Sequence, residues 1–222
     1  LGAIALQGVR RASPTLGETI VVVGLGILGQ LTAQMLQANG CQVIGVDFDA
    51  SRIDLAQANG LNVAINPSED NYIDRVLKHT GGYGADAVII TAAGSSSQIV
   101  SDAMNACRKK GRVIVVGDIG LDLKRSDFYA KELDFLISTS YGPGRYDPVY
   151  EQEGQDYPIA YVRWTENRNM QAYLELLAQE KLRLKNLIHA SYDIADAEQA
   201  YEALKAEGEK PLIVLLSYPK NA

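Results

Sequence analysis

The strongest constraint in this chain is local. An apolar β-type run, Thr19 to Val23, leads straight into Gly24-Leu25-Gly26-Ile27-Leu28-Gly29. From there Leu28, Leu31, Thr32, Met35 and Leu36 recur at helical spacing until Asn39-Gly40 stops the helix. This is a strand, a tight turn and a helix. A second apolar run, Gln42 to Val46, ends at Asp47, and an acidic residue about 20 residues past the glycines completes a dinucleotide-binding pattern. Each position has a distinct physical task. Gly24 permits the tight turn, Gly26 removes a Cβ that would strike a pyrophosphate, and Gly29 lets the helix lie close against the sheet. The helix start at Ile27 and Leu28 supplies unpaired N–H groups and a partial positive charge to phosphates.

The alternation continues along the chain. A helix is expected over Ala50 to Ala58, a strand over Val63 to Ile65, a helix over Tyr72 to His79, a strand over Ala87 to Ile90 and a helix over Ser97 to Cys107. Strands at Val113 to Val116 and Phe135 to Ser138 follow. Near-continuous Val/Ile runs between helices predict an α/β fold with a doubly wound parallel sheet of the Rossmann type, in strand order 3-2-1-4-5-6, with a ligand crevice between strands 1 and 4. The remainder reads as an irregular stretch, Tyr141 to Trp164, then a helix at Asn167 to Gln179, a helix at Ile194 to Lys205 and a strand at Leu212 to Leu216. That is a helix-loop-helix-strand extension. The domain reading is a linking helix over 1–15, a coenzyme-binding body over 16–140 and a C-terminal segment over 141–222.

Asp47 can accept the ribose hydroxyls of an adenosine, whereas a 2′-phosphate there would meet a carboxylate, so NAD is expected over NADP. Arg52 either covers the adenine, neutralises a phosphate or is a solvated helix residue. Thr91 and Ala92 end strand 4, and Val116 and Gly117 end strand 5. Backbone contact there with the nicotinamide half is one reading, and ordinary strand-end turns are the other.

A net charge of -6 and the absence of a basic stripe argue against nucleic acid and anionic membranes as partners. No apolar run approaches the roughly 18 residues of a membrane span and no signal-type segment opens the chain, which predicts a cytoplasmic protein. Leu1 to Gln7 reads as the middle of an apolar helix, which suggests a longer parent. Cys41, Cys107, His79 and His189 have no metal-ligand spacing, so no metal is expected in this chain. Tyr201 and Lys205 spell Tyr-x-x-x-Lys but sit on the last helix and read as a packing face. Ser95-Ser96-Ser97 reads as a helix cap, since no Gly-x-Ser-x-Gly elbow exists.

Gly17-Glu18-Thr19 through Gly24-Leu25-Gly26, Gly45-Val46-Asp47, Gly84-Ala85-Asp86-Ala87-Val88-Ile89, Lys110-Gly111-Arg112-Val113 and Asp196-Ala197-Glu198-Gln199-Ala200-Tyr201 together resemble the zinc-type medium-chain dehydrogenases, including their threonine and sorbitol branches. The resemblance implies an N-terminal catalytic half that holds zinc and the substrate pocket, an alcohol or polyol substrate, and a coenzyme half that does not catalyse alone. Tyr141-Gly142-Pro143-Gly144-Arg145-Tyr146-Asp147-Pro148 and Tyr157 to Trp164 depart from that pattern and are similar to a bacterial two-part oxidoreductase group. A non-catalytic NAD-sensing module and a zinc-free NADPH quinone-reductase-like enzyme are the alternative readings. The apolar run Phe135-Leu136-Ile137 at the outer sheet edge, free of proline and lysine, predicts a homodimer paired through strand 6.

Overall fold

A computed structural model describes residues 1–205 and 211–219, and the chain divides into two compact units, Leu1–Leu182 and Arg183 onward. In the first unit, helix α1 (Gly2–Ala12) leads into β1 (Thr19–Val23), α2 (Ile27–Ala38), β2 (Gln42–Val46), α3 (Ala50–Ala58), β3 (Val63–Ile65), α4 (Tyr72–His79) and β4 (Ala85–Ile90). Then come α5 (Gln98–Ala106), β5 (Cys107–Val115), α6 (Arg125–Phe128), β6 (Asp134–Ile137), α7 (Pro148–Glu151) and α8 (Glu166–Ala178). The strands form one parallel sheet in the order β3-β2-β1-β4-β5-β6. This is the doubly wound architecture and strand order expected.

Burial explains the legibility of the central strands. Ile20, Val21, Val22, Val88, Ile89, Ile90, Val113 and Ile114 are fully enclosed, because helices cover both faces and leave no side of these strands for water. The base of the sheet is tied by charge. Asp86 accepts the Thr19 N–H at 2.8 Å and Arg108 Nε at 2.6 Å, and Glu18 pairs with Arg112 at 2.6 Å. Lys131 Nζ donates to the carbonyls of Met104, Asn105 and Cys107, satisfying the end of α5 where the helix passes directly into β5.

Several local expectations change. Strand β5 begins at Cys107, well before Val113, with a register shift opposite Ala85–Ala87 and Lys110 at φ 58° marking the irregularity. Ser97 does not cap α5 through its hydroxyl, which instead accepts the Asp122 N–H, while Ser96 Oγ accepts the Gln98 N–H. The stretch 141–164 is irregular apart from α7, and its parts are latched to one another: Asp147 accepts the Tyr157 hydroxyl, and the Tyr150 and Tyr157 rings stack at 5.5 Å.

The second unit holds β7 (Ile188–Asp193), α9 (Ala197–Lys205) and β8 (Ile213–Ser217), with β7 and β8 paired in parallel. The sequence reading lacks β7, so the extension contains a second small sheet beyond the expected elements. On α9 the enclosed residue is Ala200, while Tyr201 and Lys205 are exposed, which overturns their reading as a packing face.

Candidate coenzyme cleft

A cleft of roughly 1030 Å³ opens at the carboxyl ends of β1, β2 and β4, where Val23 and Gly24 lie beside Thr91, Ala92 and Ala93. It lies at the switch point between the two halves of the sheet, where doubly wound folds bind ligands. Gly24, Gly26, Ile27, Leu28, Asp47, Arg52, Thr91 and Ala92 all line it. Gly29, Val116 and Gly117 are not part of its lining.

The glycines divide by geometry. Gly24 has φ +95°, and a Cβ there would fall 2.6 Å from the Ala92 nitrogen. A Cβ on Gly29 would fall 1.8 Å from the Gly24 carbonyl oxygen, so the start of α2 rests directly on the turn. A Cβ on Gly26 would meet nothing within 4 Å. Gly26 is the N-cap of α2, has no side-chain cap hydrogen bond, and is followed by a first turn without an acidic residue. The open space in front of Gly26 therefore faces N–H groups that the helix itself leaves unpaired.

Asp47 is both a binding candidate and a strut. It is 8% exposed, its Oδ2 accepts the Leu25 N–H at 2.6 Å, and its Oδ1 accepts the Asp49 N–H at 2.9 Å. A carboxylate offers about four lone-pair sites, so these two bonds leave acceptor capacity on each oxygen. Arg52 is neither remote nor fully solvated. Its Nη1 lies 3.7 Å from Asp47 Oδ2 and its Nε 3.4 Å from Asp49 Oδ2. The Ser51 hydroxyl, with help from backbone N–H groups and Arg52, holds the Asp49 carboxyl below the usual range. In all, the lining carries the carboxylates Asp47, Asp49, Glu69, Asp70 and Asp102 against the single guanidinium of Arg52.

Two braces hold the turn. The Thr91 hydroxyl donates to the Gly24 carbonyl at 2.6 Å, which ties the turn to β4. Gln30, 1% exposed, donates through Nε2 to the Leu25 carbonyl at 3.1 Å and the Arg52 carbonyl at 2.9 Å. Sequence reasoning misses Gln30, because a polar residue inside a helical repeat looks the same whether it faces water or a buried carbonyl. It also misses Tyr72, Ile73, Ile99 and Asp102, which α4 and α5 bring to the lower wall. Val116 and Gly117 take part in close packing: a Cβ on Gly117 would lie 1.9 Å from the Ala92 carbonyl, and one on Gly8 would lie 2.7 Å from Val116 Cγ2.

Among the described residues no group of three or more His, Cys, Asp or Glu side chains could hold a metal ion. No helix among them is long and apolar enough to cross a membrane. Burial pushes the Cys107 thiol up to about 12, and Cys41 is raised for the same reason. Neither thiol is poised as a nucleophile.

Comparison with known proteins adds three findings. A family model described as "Zinc-binding dehydrogenase" matches residues 28–153. D-guloside 3-dehydrogenase of Escherichia coli K12 is 28% identical over 204 residues, covering 89% of this chain and 53% of the relative, and sorbitol dehydrogenase of Halalkalibacterium halodurans is 26% identical over 214 residues, covering 94% and 54%. The alcohol dehydrogenase TADH from Thermus sp. ATN1 superposes with a TM-score of 0.77 at 22% identity, over 98% of this chain and 56% of that one, which shows a shared fold. The chain thus spans about half the length of the curated relatives it matches.

Proposed function

The chain belongs to the zinc-binding dehydrogenase family, and from that premise we propose that it is the NAD(H)-binding portion of an alcohol or polyol oxidoreductase. The observation that carries the reading is the open space before Gly26 at the uncapped start of α2, with Asp47 on the adjoining wall. A pyrophosphate fits the first and a ribose diol the second. In this reading Ile27, Leu28 and the rest of the first turn of α2 donate to the phosphates, Asp47 accepts the ribose hydroxyls, and Thr91 and Ala92 border the nicotinamide end, with Val116 and Gly117 setting the spacing behind them. Bound NAD supplies the hydride acceptor for an alcohol carbon. The protein's share is to fix the ring and exclude alternatives.

NAD is favoured over NADP by charge. A 2′-phosphate would add about two negative charges beside Asp47, in a lining where five carboxylates face one guanidinium. We assign residues 1–15 to a link, 16–140 to the coenzyme-binding body and 141–222 to a segment returning toward a catalytic half that carries the zinc and substrate pocket. In this reading the coenzyme portion does not catalyse alone, because the zinc and the substrate pocket belong to that other half. We further assign the whole a cytoplasmic location and a homodimer built on β6, whose outer edge is apolar at Phe135 to Ile137; Arg11 Nε already takes the Ile137 carbonyl at 3.1 Å.

Calorimetric titration with NADH and NADPH tests the reading. NADH should bind, and more tightly than NADPH. Equal affinities, or a preference for NADPH, would remove Asp47 from the ribose and favour the quinone-reductase-like alternative.

A further inference from the structure

The lower wall of the cleft, which α4 and α5 supply, has a chemistry of its own. With the nicotinamide end at Thr91 and Ala92, a pyrophosphate before Gly26 and a ribose on Asp47, the base joined to that ribose falls to the remaining lining. There Phe48, Pro67, Ile73 and Ile99 offer apolar surface to a flat ring. The ionised groups of the lower wall are all carboxylates: Glu69, Asp70 and Asp102. Glu69 and Asp70 are exposed, and Asp70 is paired with Arg75. Asp102 differs from both. It is half-buried, its Oδ1 accepts Gln98 Nε2 at 2.7 Å, and its Oδ2 has no partner among the described residues.

Tyr72, 7% exposed, belongs to the same wall, and burial, then the charge of Asp102, pushes its hydroxyl up. The Asp102 carboxylate therefore acts across a region of low dielectric, where a hydrogen bond to charge is strengthened and an unmatched acceptor is costly. The two kinds of purine present opposite groups to it. Adenine carries an exocyclic amino group, a donor, where hypoxanthine and guanine carry a carbonyl oxygen, an acceptor. An amino group satisfies a carboxylate oxygen; a carbonyl would face it with no proton between them.

We propose that Asp102 selects the base of the coenzyme, its Oδ2 accepting the exocyclic amino group of adenine, so that 6-amino purines are taken and 6-oxo purines rejected. This rests on the coenzyme reading above and assigns a residue that the reading leaves idle. The test titrates the full chain calorimetrically with NADH and with its deamino analogue, in which hypoxanthine replaces adenine, and repeats both titrations with Asp102→Asn and Asp70→Asn. Wild type should bind NADH about tenfold more tightly than the analogue, the worth of one charge-assisted hydrogen bond. An asparagine keeps an acceptor for Gln98 and can donate to a carbonyl as readily as accept from an amino group. Asp102→Asn should therefore bring the two affinities together, while Asp70→Asn, which removes a charge from the same wall, should keep the wild-type ratio. Failure of wild type to bind either compound would overturn the coenzyme reading and this proposal with it. Equal binding of the two by wild type, with NADH still preferred over NADPH, would overturn the proposal alone. So would an unchanged ratio in Asp102→Asn, or an equal loss of discrimination in Asp70→Asn.

Discussion

Gly26→Val separates folding from binding more cleanly than any other change in the cleft. Gly26 has φ -63° and ψ -173°, a backbone open to any residue, and its Cβ direction is empty to 4 Å. The substitution gains stability by restricting the unfolded chain and loses some by placing a poor residue at an N-cap. These opposed terms, each about 0.5–1 kcal/mol, leave the fold within about 1 kcal/mol of wild type. Gly29→Ala is the internal control. Its Cβ would overlap the Gly24 carbonyl at 1.8 Å, an overpacking that typically costs about 1–3 kcal/mol. NADH at about a hundred times its dissociation constant stabilises a protein by about 2.7 kcal/mol, and in a chain this long each kcal/mol moves Tm by roughly 2–4 °C. Wild type should therefore rise by roughly 5–10 °C with NADH, while Gly26→Val should melt near wild type without coenzyme and not respond to it. Scanning calorimetry with and without NADH reads both quantities. A Gly26→Val protein that melts as low as Gly29→Ala, or that keeps its NADH shift, would refute the assignment of that space to the pyrophosphate.

Asp47→Asn should lower NADH affinity about tenfold and narrow the preference over NADPH; an unchanged ratio of the two constants in parallel titrations removes Asp47 from the ribose. Lys131→Met should destabilise the fold by about 1–3 kcal/mol, because three carbonyls at the end of α5 lose a charged donor, and an unchanged urea midpoint contradicts this. Cys107 has a folded-state pKa raised from 9.0 to about 12, so the stability it contributes is complete below pH 9 and declines as pH rises from there toward 12. Cys107→Ala should accordingly lose less stability than wild type between pH 8 and roughly pH 10.5, and parallel pH profiles would count against the buried neutral thiol. Sedimentation equilibrium should report a dimer that Leu136→Pro, checked for retained fold, converts to monomer; a wild-type monomer at high concentration ends the β6-edge proposal.

The sheet is legible in the sequence because its strands are hidden on both faces. In runs such as Ile20 to Val23 or Val88 to Ile90 every position must be apolar, and the short length and β-branched content of these runs separate them from helix. Strand β7 carries a signal that the sequence reading passes over: Ile188, Ala190 and Tyr192 alternate with the exposed His189, Ser191 and Asp193, the period-two pattern of a half-buried strand, weakened by the small Ala190. The upper wall of the cleft lies in one contiguous motif and can be read directly. Its lower wall is assembled from Asp70 to Ile73 and from Ile99 and Asp102, residues whose meeting depends on how α4 and α5 pack. Arg52 shows the same limit: spacing places it near Asp47, but its pairing with both Asp47 and Asp49 depends on the turn between β2 and α3.

Gln30 gives the cleft a mechanical property. Its amide group grips the carbonyls of Leu25 and Arg52 together, so the glycine turn and the start of α3 cannot shift separately without breaking a buried hydrogen bond. On the proposed function, a dinucleotide entering such a template would meet its adenosine and pyrophosphate contacts already in register. Occupying one subsite does not have to organise the other, and the binding free energies of AMP and of the remaining fragment should differ from that of the whole mainly by the advantage of connection.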